Sequence, residues 1–465
     1  MVYSVVEQKA KMFSARYRWQ AIATMTVHIM TLVHGVGVGW LAPSLFFLAS
    51  DQSPLSKPIN IEEISWVGSL IGLGALAGNL TFGLLLDLIG RKLCMYFLAI
   101  PNMMYWILIY VATDVSYLYA GRFLAGISGG GCYVVLPIFV AEISDTNIRG
   151  SLSSMVMMYV SVGIIIGYIL SSYLNYYIMP CVAILLPIAY MFAIIRFPET
   201  PQYLLRKGRN EQAKKSYCFY KNLKFTQPNS ESANVDTENE FATFKEQVLS
   251  GGVQHNVGWK DFSNRMTMKI FGLSFTLVIC NQLSGSFALF NYTSHIFAEL
   301  HCQIPTNICI ITVGASQVVG IICTVVLVDR VGRRRLLLIS MTGMGLGELS
   351  IGLLDQFASK EFLTETNWLA LLLMSFVAFI ASLGIIPLVF LVIIELLPAK
   401  IRSIGTSICM ATLSIFIFVS LKIYPLMIFD HGLAITMFVS TSVCCIGLII
   451  FGLFLPETKG KLLTN

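Results

Sequence analysis

"DLIGRK", Asp87 to Lys92, separates two long apolar runs, and "DRVGRR", Asp329 to Arg334, separates two others. A glycine permits the tight turn that a short loop between antiparallel helices requires. The aspartate before it and the arginine after it can bridge the two helix ends. The motif therefore reads as one loop between helices, used twice.

The flanks say what solvent those helices meet. Of 465 residues, 56% are hydrophobic and only 12% are charged, with a mean hydropathy of +0.75. Soluble domains carry roughly twice that charge. A helix needs about 20 mostly apolar residues to cross the hydrocarbon core. Runs of that kind fall near 20–48, 65–86, 93–112, 116–140, 152–174, 178–197, 267–297, 305–328, 336–356, 367–395, 403–427 and 431–455. The expected fold class is an all-α membrane protein of twelve transmembrane helices in the lipid bilayer, because open sheet edges are not tolerated in lipid. The N-terminus is polar and runs into a span too long for a signal peptide, so no cleaved leader is expected.

Two further motifs repeat in the same order, each pair about 250 residues apart. Glu142 and Arg149 recur as Glu395 and Arg402, and "PET" at Pro198–Thr200 recurs as "PETKGK" at Pro456–Lys461. Such duplication is how secondary transporters build two halves around a midplane site. The chain divides into a six-helix half (1–197), a polar linker with short amphipathic helices (198–265) and a second six-helix half (266–465). Within the linker, "TQPNSESANVDTE" reads as a flexible piece. The basic residues gather in alternate loops, leaving little more than Lys57 and Lys360 opposite them. The positive-inside rule then places both termini in the cytoplasm.

On this reading Asp87, Arg91, Glu142 and Arg149, with Asp329, Arg333, Glu395 and Arg402, form a cytoplasmic gate whose pairs make and break as the halves rock. Plain topogenic charge is the simpler alternative. The net charge of +6 needs no nucleic-acid partner. The cysteines lack ligand spacing and read as small packing residues. No nucleophile–base set, metal cluster or P-loop is visible, so neither an enzyme nor a cofactor is expected.

Beside these motifs, "GRFLAGISGGG" (Gly121–Gly131), "PIFVAEISDTNIRG" (Pro137–Gly150), "PETPQYL" and "NQLSG" resemble the sugar porter family of the major facilitator superfamily. "SWVGSL" (Ser65–Leu70) and "ELLPAKIR" (Glu395–Arg402) are similar to insect facilitated trehalose transporters. The resemblance implies a site of amides and an aromatic ring. Asn281 and Gln282 stand where the family has two glutamines, and Gln317 takes the polar position of the eighth span. Ser161 stands for an amide, Phe287 and Leu413 for asparagines, Val389 for a proline and Phe390 for tryptophan. Amides suit a polyhydroxylated solute because they donate and accept together. Each has a simpler reading as interhelical glue.

Proton-coupled members carry a first-span aspartate near the arginine that matches Arg122; here that position is about Val36. Glu348 of the ninth span reads as a buried structural carboxylate, and His34 as a packing residue. Asn79 and Asn291 lie in sequons inside spans, where glycosylation cannot reach. The expectation is a facilitative plasma-membrane carrier of a sugar or similar solute, hexose or trehalose-like, working by alternating access. A proton symporter and a non-transporting sugar sensor are the alternatives.

Overall fold

The computed structural model describes residues 16–223, 235–250, 264–359, 362, 365–398 and 401–458, with the Arg402 side chain outside that description. Among the described residues, eleven helices are long and apolar enough to cross a membrane. The first five are Arg18–Leu48, Ile61–Ile89, Arg91–Tyr110, Val115–Ile143 and Asn147–Tyr173. The seventh to twelfth are Arg265–Asn291, Thr306–Val331, Arg333–Phe357, Trp368–Leu396, Ile404–His431 and Leu433–Phe454. The sixth expected span is the shorter apolar run Ile178–Ile194, interrupted at Ile184.

The ends of the helices follow from local chemistry. The second span opens on a capping box, in which Asn60 Oδ1 accepts from the Glu63 amide at 2.8 Å and Glu63 Oε2 accepts from the Asn60 amide at 2.9 Å. It closes at Gly90, whose φ of +94° a side chain would strain, and the eighth closes at Gly332 with φ +98°.

Within the first half, the first span packs on the fifth, and the second and third pack on the fourth. Small residues allow this: a Cβ on Gly126 would stand 2.3 Å from the Ile71 carbonyl. In the second half the eighth packs on the tenth and the ninth on the twelfth. The halves meet along two seams, second against eleventh and fifth against eighth.

Besides the sixth span, three more expected spans are not single helices: the first divides at Trp40 into Arg18–Gly39 and Leu41–Leu48. The seventh breaks into Arg265–Leu283, Ser286–Asn291 and Thr293–Glu299, and the tenth into Asn367–Leu383 and Ile385–Leu396. Among its described residues the linker carries three helices, Pro201–Arg206, Asn210–Lys221 and Val235–Ser250, the last starting inside the piece read as flexible. Leu204, Leu205 and Ala213 form a small apolar cluster against Phe241, Phe244 and Val248.

Candidate functional site

Gly285, at φ +77°, interrupts the seventh span, and hydroxyls take up the carbonyls freed there. Ser284 and Ser286 Oγ donate to the Asn281 carbonyl at 3.1 and 2.6 Å, and Ser420 Oγ donates to that of Gln282 at 3.0 Å. The tenth-span break at Gly384 is treated alike. Thr324 Oγ1 donates to the Ser382 and Leu383 carbonyls at 2.9 and 2.8 Å. Ser340 Oγ accepts from the Ile385 amide at 3.0 Å. Asn281 Nδ2 ties the two breaks together by donating to the Ile385 carbonyl at 2.9 Å.

Beside these breaks lies a narrow cavity of about 100 Å³ between the halves, mostly apolar in lining. All six residues expected at the site line it: Ser161, Asn281, Gln282, Phe287, Gln317 and Phe390. Their roles differ. Asn281 is engaged with backbone, the glue reading. Gln282 donates to Asn281 Oδ1 at 2.6 Å, while its own Oε1 is buried without a partner. Gln317 Oε1 is likewise unpartnered. Two buried acceptors therefore face a space where a hydroxyl could satisfy them. Phe287 is turned to the cavity and narrows it.

The cavity also includes residues that sequence reasoning passed over. Asn79, read only as an unreachable sequon, donates to Ser414 Oγ across the halves at 2.9 Å and leaves Oδ1 unpartnered. Tyr133 stacks on Phe390 with centroids 5.7 Å apart and planes 18° apart, and His34 meets Tyr133 edge-on. Phe390 thus stacks on a protein ring of the other half in this structure. Asn291 donates to the Phe287 carbonyl of its own helix at 2.9 Å, a structural use.

Arg122, fully buried, donates to the Val67 and Gly37 carbonyls, each at 3.0 Å. Glu348 is also fully buried, with its Oε2 accepting from the Cys444 thiol at 3.5 Å. It sits behind the Gly285 break and outside the cavity lining.

The end of the bundle that carries the Arg-rich loops, here the basic end, holds one clamp in each half. Arg91 Nε and Nη2 donate to Glu142 Oε1 at 3.1 and 2.7 Å; Arg333 Nε donates to Glu395 Oε1 at 3.2 Å, where its Nη2 also pairs at 3.2 Å. Asp87 and Asp329 approach the same arginines at 3.6 and 2.9 Å. The "PET" motifs complete both clamps. Glu199 Oε2 accepts from the Lys92 amide at 3.0 Å, and Glu457 Oε1 from the Arg333 amide at 2.9 Å. Thr200 and Thr458 hydroxyls donate to Glu142 and Glu395, each at 2.5 Å. Burial pushes the Glu199 carboxyl above the ordinary glutamate range, against the amide hydrogen bonds that favour its charge. Arg149 donates to the Ser144 carbonyl of its own loop at 3.2 Å. Arg402 lies outside the described side chains.

Residues 12–465 match the family described as Sugar (and other) transporter, and the chain belongs to that family. It is 29% identical to the facilitated trehalose transporter Tret1 of Drosophila grimshawi over 97% of its own length, spanning 48% of that longer protein. It is 28% identical to Tret1 of Culex quinquefasciatus, covering 96% of this chain and 84% of that one. Against the Tret1-2 homolog of Drosophila sechellia it is 29% identical, with 95% and 89% covered. The chain thus spans about half the length of some of these relatives and most of others. Its fold is that of the Escherichia coli xylose transporter XylE. The partially occluded inward open conformation superposes with a TM-score of 0.76 at 16% identity, covering 94% of this chain and 100% of that one. The inward open conformation gives 0.74 at 17%, covering 94% and 97%.

Proposed function

We propose that this member of the Sugar (and other) transporter family carries a sugar or similar polyhydroxylated solute down its gradient by alternating access. The observation that carries the reading is the cavity between the halves, where Gln282 and Gln317 present unpartnered acceptors beside aromatic rings. Sugar hydroxyls satisfy acceptors, and ring faces suit the apolar face of a sugar. The two halves, 1–197 and 266–465, rock about that cavity while the linker 198–265 stays at the basic end. The positive-inside rule puts the basic end and both termini in the cytoplasm of a plasma-membrane protein.

Facilitated diffusion is favoured over proton symport by the Arg122 contacts, since its two described hydrogen bonds go to main-chain carbonyls. Relatives named facilitated trehalose transporters support the same mode and suggest the first solutes to try. Uptake and counterflow in liposomes, over trehalose and a panel of hexoses and pentoses, test the proposal. At least one sugar is expected to accelerate exchange without a proton gradient. If none does, the carrier reading fails; binding without flux would assign a sensor instead.

A further inference from the structure

The seam between the second and eleventh spans holds a cation whose use the cavity does not explain. Lys422 lies within the eleventh span, on the side of the midplane away from the basic end. Its Nζ donates to Ser65 Oγ at 2.7 Å and stands 4.1 Å from the centroid of the Trp66 ring. The Ser65 hydroxyl donates onward to the Glu62 carbonyl at 2.7 Å, so its lone pairs are left for the ammonium. One turn before Lys422, Phe418 packs against the same indole with centroids 6.0 Å apart.

Two glycines let the helices come this close. A Cβ on Gly72 would lie 2.5 Å from the Phe418 amide nitrogen, and one on Gly68 would fall 1.9 Å from the Tyr292 hydroxyl. Other contacts between the halves continue the closure. Ser294 Oγ donates to the Ala42 carbonyl at 2.5 Å, and Tyr168 Oη to that of Phe290 at 2.7 Å. The ammonium belongs to the second half, and both of its partners belong to the first. An ammonium at membrane depth is costly without partners, and a cation–π contact strengthens as water leaves. Parting the halves at this end would break both contacts of Lys422.

We propose that Lys422, Ser65 and Trp66 form a latch that holds closed the end of the bundle opposite the basic loops, and that its release admits solute from that side. Lys422 is then a positioning residue for transport, a role that rests on the rocking-carrier reading above. Both spans cross the bundle on the solute path, so the latch weights which face the cavity opens to.

Hydrogen–deuterium exchange of the full chain in lipid nanodiscs, without solute, tests the latch independently of what is carried. Lys422→Met and Trp66→Leu are each expected to raise exchange roughly threefold to fivefold in peptides covering residues 41–60 and 292–300, the scale of a partly exposed cation–π contact. Peptides around 86–95, at the basic end, should not rise. Lys422→Arg, which keeps a cation over the indole, should restore the parental pattern, and the double variant should exceed neither single one. Unchanged exchange in Lys422→Met, a rise spread over both ends, or additive single effects would each overturn the latch. Liposome counterflow with the parental chain reads the carrier proposal separately.

Discussion

The clamp at Arg91 and the clamp at Arg333 can be laid over one another almost atom for atom. Each arginine follows a left-handed glycine, bonds one glutamate oxygen, and donates Nη1 to the carbonyl five residues back, Leu86 at 3.1 Å and Val328 at 3.2 Å. Each glutamate takes its threonine from a "PET" motif. The midplane shows no such agreement. The fourth span is one helix, Val115–Ile143, while its repeat partner, the tenth, breaks at Gly384. Amides with free acceptors come from the seventh and eighth spans, and the first half adds Asn79, Tyr133 and Ser161. Holding loops on a rigid half poses the same problem twice and receives the same answer twice. A solute lying between the halves has two different faces, and the two walls differ accordingly.

The first way to break the comparison is to remove the clamps. Arg91 and Glu142 side chains are 4% and 6% exposed, against 13% and 22% for Arg333 and Glu395. Stranding a buried charge costs about 3–5 kcal/mol, and a partly wet one roughly 1–2 kcal/mol. Arg91→Ala should therefore lower the thermal transition in detergent, followed by tryptophan fluorescence, well beyond Arg333→Ala. Equal losses would mean that burial does not distinguish the two clamps.

The glycines should behave as equals. Gly90→Ala and Gly332→Ala each force a side chain into the left-handed region, at about 1–2 kcal/mol. A Cβ would also meet the Glu199 carboxylate at 2.5 Å in one half and that of Glu457 at 2.6 Å in the other. The same thermal measurement should show matched losses, and a mismatch of more than about twofold would break the symmetry argument.

These two regions were also unequally legible in the sequence. Hydropathy marked the spans because lipid allows the backbone few other solutions, although it missed the break at Gly384. The repeats showed the clamps, and "PET" was visible as a repeat without a role. Its partners lie far off along the chain, Lys92 for Glu199 and Glu142 for Thr200, so no local spacing could reveal them. At the midplane, residue types pointed to the wall that Gln282 and Gln317 share. Which amides were free depended on three-dimensional partners: Asn281 is committed to Ile385, and Asn79 turned out to face the cavity. Tyr133 follows a glycine run on a buried helix, and nothing in one sequence separates a cavity ring from a packing ring.

The amides sharpen the comparison next. Gln317→Leu removes an acceptor without a protein partner, so solute affinity in counterflow should weaken about tenfold, the loss of one to two hydrogen bonds, with the thermal transition nearly unchanged. Asn281→Ala should do the reverse, lowering stability by about 1–2 kcal/mol as the Ile385 carbonyl loses its donor. If Gln317→Leu unfolds the protein instead, its amide is structural and the cavity loses its best ligand.

The smallest expected effect concerns Phe287, where the helix break turns an aromatic ring into the cavity. An asparagine there is smaller than phenylalanine and brings a donor and an acceptor to a wall that offers mainly acceptors. Phe287→Asn should widen the cavity and improve exchange of a hexose roughly fivefold, about 1 kcal/mol, the net worth of one satisfied hydrogen bond. The fold should tolerate it, since Phe287 is only partly buried at the edge of the core. The gain should vanish in a Phe287→Asn, Gln282→Ala double variant if both side chains hold the same solute, because coupled contacts are not additive. A gain that survives the loss of Gln282 would instead make Phe287 a plug, limiting the volume of the cavity without shaping its chemistry.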